Sequence, residues 1–268
     1  MASQKNARHN TSMNYFVQAE NFASDSENQI HSDEVAQRYG FQAALVPGVT
    51  VYGYLTTPLV QRFGHEWLSH SVAEVRLIKP TYDGDRVRIE MDDNDACVVV
   101  SAFNAADEIL ATLTSTTPND LPALNNVHLL DGDFTPPQRI EIAWDTVIEK
   151  QVLAPWTATL DTEANATYTT QAKDVSPIYA DIAHPHFLLS LANTALMNEF
   201  IMPTWLHVGS STRHRVLLRV NDTITIRAVV LEKWRKKGHE FIQLYLTFWR
   251  DDEITTDILH TAIFKVAT

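Results

Sequence analysis

Residues 44–60, ALVPGVTVYGYLTTPLV, are the most demanding stretch of the chain. A turn signal, Pro47-Gly48, opens it, and the spacing predicts a helix over residues 48–63. Its apolar residues fall on every side: Val49, Val51, Tyr52, Tyr54, Leu55, Leu59 and Val60. A helix that is apolar all round must be enclosed by other elements. Gly53 and Pro58 are poor helix formers, so tertiary wrapping has to hold it together.

The pattern returns at residues 185–206. Set against residues 47–68, the second stretch has the same length, and Pro47 matches Pro185, Thr56 matches Thr194 and Trp67-Leu68 matches Trp205-Leu206. The offset is constant at 205 − 67 = 138. Four strand-like segments follow each helix: 71–79, 86–91, 97–103 and 109–116 in the first half, and 208–218, 223–234, 240–250 and 254–266 in the second. Residues 86–91 alternate, with Val87, Ile89 and Met91 on the inward face. After one deletion, Gly84-Asp85 aligns with Asn221-Asp222. An internal duplication of a helix-plus-meander unit follows.

The expected class is α+β, with two antiparallel sheets, each wrapping a central buried helix. Ser190, Asn193, Asn198 and Glu199 interrupt the second helix and argue against a membrane span. Residues 1–117 form the first unit, 118–160 a linker and covering segment, and 161–268 the second unit. Residues 1–12 are expected to be a disordered tail, 13–19 a strand, and 31–39 a short helix capped by Ser32 and stopped by Gly40. Residues 118–137 lack periodicity, 140–152 are expected to be a helix over a sheet edge, and 164–172 have strand character.

Composition narrows the function. A formal net charge of −12 argues against nucleic-acid binding, which needs a basic face. The single cysteine, Cys97, sits in an apolar run and reads as a buried small side chain, which favours a reducing compartment. The polar N-terminus has no apolar signal core, and no apolar run is long enough for a bilayer. A cytoplasmic protein with no membrane association is expected. No residues have metal-ligand spacing; His184-Pro185-His186 cannot easily turn both rings to one ion.

The segment Ser26-Glu27-Asn28-Gln29-Ile30-His31, the short helix after it and Val46-Pro47-Gly48-Val49 together resemble the MaoC-like (R)-specific enoyl-CoA hydratase/dehydratase family. That family carries Asp-x-Asn-x-x-His, a short helix and then Val-His-Gly-Met at the start of a central helix. With the duplication, the chain looks like a double-hotdog protein. The resemblance implies that His31 is the acid/base, that Asn28 positions substrate or water, and that Gly48 donates its N–H to a thioester carbonyl. Hydration of an enoyl thioester needs an activated water and donors for the developing enolate oxygen. A helix N-terminus offers such donors. Val49 and Tyr52, in the same first turns, are further substrate-binding candidates. The family's Asp falls on Ser26, and Asp25 lies one residue further from His31, within reach only if the loop carries an insertion. The family's His before Gly is Pro47 here.

In the second half, Asp181, His184 and His186 precede the helix, and the offset puts His186 where Gly48 sits, since 48 + 138 = 186. His186 would block a second thioester site or serve the first. The run Lys233-Trp234-Arg235-Lys236-Lys237-Gly238 and Arg213, His214 and Arg215 are candidates for phosphate contact, with an exposed solubilising turn as the plainer reading of the run. The leading expectation is a lyase that hydrates 2-enoyl thioesters or dehydrates 3-hydroxyacyl thioesters. Coenzyme A or a carrier protein's phosphopantetheine would be part of the substrate, with no separate cofactor. The alternatives are a hotdog thioesterase, or a non-catalytic acyl or small-hydrophobe binder or tailoring isomerase or cyclase. Either a monomer or a homodimer fits a duplicated chain.

Overall fold

The computed structural model describes residues 13–94, 97–127 and 138–267. The expected tail at 1–12, the end of the first hairpin's turn at 95–96 and the later part of the linker, 128–137, lie outside the described residues.

Strand β1 (Met13–Gln18) is followed by a 3-10 turn (Gln29–His31), α1 (Asp33–Arg38), α2 (Gly48–Phe63) and α3 (His65–Ser69). The first meander is β2 (Ser71–Leu77), β3 (Arg86–Asp93), β4 (Val98–Phe103) and β5 (Ile109–Thr116). Short strands β6 (Ile140–Glu141) and β7 (Trp156–Thr159) lead to α4 (Thr162–Gln171), a second 3-10 turn (Pro177–Ala180) and α5 (Pro185–Glu199). Strand β8 (Phe200–Ile201) pairs with β6, and the second meander is β9 (Leu206–His214), β10 (Thr223–Lys236), β11 (His239–Arg250) and β12 (Glu253–Lys265).

The two expected sheets are the halves of one. Ten strands run in the order β1-β3-β4-β5-β2-β9-β12-β11-β10-β7, joined at the centre by antiparallel β2–β9 pairing, with Val72 opposite Arg213 and Arg76 opposite Gly209. Read from either end, the order is the same arrangement of equivalent strands. The sheet wraps α2 and α5, which pack against each other. Every residue of α2 from Val49 to Val60 is buried. In β3, Val87, Ile89 and Met91 face the core, as alternation requires.

The structure sharpens the internal alignment. Leu45 bridges Tyr82 as Ile182 bridges Arg219, and Val46 N–H bonds to Thr81 O as Ala183 N–H bonds to Leu218 O. Each pair gives the same offset, 182 − 45 = 219 − 82 = 137. Gly84 and Asn221 hold the same turn at φ 81° and 73°, and 221 − 84 is again 137. At this offset His186 matches Val49 and Pro185 matches Gly48. The expected equivalence of His186 with Gly48 is therefore one residue out.

Three local expectations change. Strand β7 lies inside the expected linker but pairs with β10, as β1 pairs with β3, so it is an edge strand of the second half. Residues 142–151 run through turns rather than a helix. Residues 164–172 are helical: Asp161 caps Ala164 N–H at 2.8 Å, and Thr167, Thr169 and Thr170 bond back to carbonyls four residues earlier at 2.7–3.0 Å. Those bonds let a threonine-rich segment sit in a helix despite its strand-like composition. Among the described residues no helix is long and apolar enough to cross a membrane.

Candidate active site

The loop before α1 is pinned to the second half of the chain. Asn28 caps the first 3-10 turn and also pairs with the Trp205 backbone: Oδ1 accepts from Trp205 N–H at 3.1 Å and Nδ2 donates to Trp205 O at 3.0 Å. Gln29 N–H bonds to Pro203 O at 2.9 Å, and Ile30 is fully buried against Ala36 and Leu45. This fixes which atom of the Asn28 amide is which. Its second N–H then points to His31 Nε2, 3.3 Å away. His31 Nε2 must be the unprotonated nitrogen, because Nδ1 donates to Leu45 O at 2.7 Å. Burial pushes the His31 pKa below the ordinary histidine value, against the opposing pull of the Leu45 carbonyl.

Helix α2 begins beside this imidazole. Thr50 and Val51 N–H groups both return to Pro47 O, leaving the Gly48 and Val49 amides without a protein acceptor. Gly48 is required here: a Cβ would lie 2.2 Å from Leu77 Cδ1 and 3.1 Å from His207 Nδ1. Asn28, His31 and Gly48 line one cavity of about 350 Å³, with Pro47, Val51, Leu77, Asn193, Trp205 and His207 among its other walls. Among the described residues no Asp or Glu lines it.

Other expected site residues stand elsewhere. Asp25 is exposed, and Ser26 donates to Asn28 O at 3.1 Å while opening onto a different cavity beside Glu27 and Arg139. Neither is among the ring contacts of His31, so among the described residues no carboxylate pairs with it. Tyr52 and Val49 are core side chains outside the cavity; of Val49, the amide faces the helix end. Arg213 pairs with buried Asp257 at 3.3 Å, as Arg215 does at 2.5 Å, so both serve the sheet. His214 is buried against Trp67. In the basic run, Lys233 donates to Trp144 O and Val147 O, and Arg235 stacks on the Trp144 ring, so these two clasp the connecting segment.

The start of α5 is built differently. Pro185 has no N–H, and the His186 N–H is capped by His184 Nδ1 at 3.0 Å, so the start of α5 presents no free pair of amides. His186 lies between Tyr168 O and Thr50 Oγ1, at 3.3 and 3.4 Å, where it braces the first turn of α2. Ser176 holds the N-cap position of the second 3-10 turn that Asn28 holds in the first, without Asn28's side-chain bond, an offset of 176 − 28 = 148. On that register Asp174 stands where Ser26 does, and Tyr179 where His31 does. At these matched places the first half has Ser26 and His31, and the second has Asp174 and Tyr179. The shorter path from turn to helix, by 148 − 137 = 11 residues, hides this equivalence from a constant-offset reading. Its signal was present in Ser26-x-Asn28-x-Ile30-His31-x-Asp33 against Asp174-x-Ser176-x-Ile178-Tyr179-x-Asp181. Asp174 is buried 3.7 Å from His184 and lies outside the His31 cavity.

No family model matches the chain, and no curated protein matches its sequence. Solved structures do. A Chloroflexus aurantiacus J-10-fl structure assigned as a MaoC domain dehydratase superposes with a TM-score of 0.65 at 14% identity, covering 96% of this chain and 95% of its own. A conserved Mycobacterium tuberculosis protein with a double hotdog fold gives 0.64 at 10% identity, over 95% and 96%. A Lactobacillus plantarum structure assigned as an oleoyl thioesterase gives 0.53 at 10% identity, over 97% and 98%. The chain has the double hotdog fold, as the Mycobacterium tuberculosis structure does.

Proposed function

We propose that the protein acts on acyl thioesters as a lyase, adding water across a 2-enoyl thioester or removing it from a 3-hydroxyacyl thioester. The observation that carries this reading is the meeting of His31, Asn28 and the open end of α2 on one cavity. The thioester carbonyl rests on the Gly48 and Val49 amides, where the helix end favours developing negative charge. His31 Nε2, held as the neutral acceptor, exchanges its long contact with Asn28 Nδ2 for a water and takes a proton from it as the hydroxyl adds to C3. It returns that proton to C2, so one base completes the addition without a carboxylate. Coenzyme A or a carrier protein's pantetheine arm delivers the acyl group.

A non-catalytic acyl binder is the second reading, favoured by the absence of any carboxylate at His31. Thioester hydrolysis has less support, since no carboxylate lines the cavity to serve as base or nucleophile. Mixing purified protein with crotonyl-CoA, while following both enone absorbance and free thiol, separates the three. The lyase reading expects loss of absorbance with no thiol released. Thiol release would replace it with a thioesterase, and tight binding with no turnover of crotonyl or longer enoyl thioesters would replace it with a binder.

A further inference from the structure

We propose that His207, from the second half of the chain, is a third hydrogen-bond donor to the carbonyl held at the start of α2. This rests on the thioester reading above.

Strand β9 carries His207 across the centre of the sheet to the N-terminus of the first-half helix. The side chain is 91% buried and lines the cavity, and its Nδ1 has neither a protein partner nor solvent. That nitrogen faces Gly48, 3.1 Å from the point a Cβ would occupy. An orphaned polar atom at this depth is costly unless something bonds to it. Beside Gly48, at the helix end where two amides are unpaired, it is accounted for by a ligand atom that accepts from all three.

The other ring nitrogen decides whether Nδ1 can donate. His207 Nε2 lies 2.9 Å from Ser210 Oγ, which lies 2.9 Å from His260 Nδ1, and the two imidazoles stack with centroids 4.5 Å apart. The hydroxyl has one proton, so it gives to one ring and takes from the other. His260 Nε2 is also buried with no partner. In the free protein either arrangement buries one unpaired N–H, on His260 Nε2 or on His207 Nδ1, but an acceptor held in the cavity satisfies only the one on His207. The favoured arrangement runs His260 Nδ1–H to Ser210 Oγ, Ser210 O–H to His207 Nε2, and His207 Nδ1–H into the cavity. With no carboxylate beside either ring, both stay neutral donors rather than cations.

The equivalent residue shows that this is not generic to the fold. At the offset of 137, His207 corresponds to His70, whose Nε2 bonds to Pro118 O at 2.7 Å. The His70 ring is spent on a loop, at the end of the molecule where Pro185 has removed the helix amide.

The test is long-range ¹H–¹⁵N correlation of the histidine rings in the full chain, with and without saturating butyryl-CoA, a thioester with no double bond to hydrate. The expected result is His207 as the Nδ1–H tautomer, with that resonance displaced on binding. An Nε2–H tautomer, or an Nδ1–H that does not move while butyryl-CoA is bound, overturns the donor role alone. Failure of butyryl-CoA to bind overturns the thioester reading and the donor role with it. In turnover of crotonyl-CoA, His207→Leu should lower kcat roughly 10²-fold with KM little changed, the usual cost of losing one oxyanion donor. His207→Gln, which keeps an N–H, should recover most of that loss. Equal losses in both variants would mark the residue as structural.

Discussion

At the scale of single residues, the site depends on what Gly48 omits and on where His31 carries its proton. Gly48→Ala adds a methyl that meets the mobile tip of Leu77 and the edge of the His207 ring. Alanine gains about 1 kcal/mol in helix propensity, against about 1–3 kcal/mol of overpacking, so stability should change by less than about 2 kcal/mol. The carbonyl cradle, by contrast, is filled, and kcat/KM should fall ~10²-fold. Urea melts and steady-state rates on the same preparation check both, and an active Gly48→Ala enzyme would count against the cradle. His31 acts as a base only when neutral. Its pKa lies below the ordinary value of about 6.5 because of burial, so activity should rise through an acid limb placed below that value and stay level above it. A limb above pH 7 would indicate a carboxylate partner that the structure lacks. Sequence spacing marks Asn28, His31 and Gly48 because they share one short stretch with a periodic helix. It cannot mark His207, which reaches the site only through the pairing of β2 with β9, 130 residues or more along the chain.

At the scale of elements, α2 contains a break that another element repairs. Pro58 has no N–H to offer the Tyr54 carbonyl one turn earlier, and the Tyr15 hydroxyl of β1 donates to it instead. Tyr15→Phe should leave a buried carbonyl unpaired and cost about 1–3 kcal/mol. In a Pro58→Ala background the new N–H satisfies that carbonyl, and the same Tyr15→Phe change should cost less than about 1 kcal/mol. Urea midpoints of the four proteins in this cycle give the coupling, and strictly additive effects would contradict the repair. The meanders were readable because each strand buries one alternating face, and the two central helices because they are apolar on nearly every side. Helix α4 was not, because its threonines are polar and only their bonds back to the helix backbone make the segment helical. Strand β7 was not readable either, since four residues carry little pattern and its place is set by β10.

At the scale of the whole molecule, duplication has produced one ten-stranded sheet with two helices inside it, and a core unusually rich in buried histidine. Burial holds His186 down to about 3 and His207 and His214 to about 4, while in the unfolded chain each returns to about 6.5. Between pH 6.5 and about 4 the unfolded chain therefore binds more protons, and stability falls as pH falls through that window. The slope is on the order of 1.4 kcal/mol per pH unit for each such histidine. Urea midpoints at pH 7, 6 and 5 should decline steeply, and a flat series would show that these rings are hydrated or paired in solution. The duplication itself was visible in the sequence, but the fusion of the two sheets and the differing residues at matched places of the two halves were not. Both depend on contacts between residues far apart in the chain. The central claim is that one histidine, without a carboxylate, does the proton transfer. It is tested most directly by turnover of crotonyl-CoA by His31→Gln and Asp25→Asn measured side by side. The structure predicts a loss of ~10²-fold or more for His31→Gln and no more than about a twofold change for Asp25→Asn. Comparable losses in both variants would mean that Asp25 reaches the site in solution and that the one-base account is wrong.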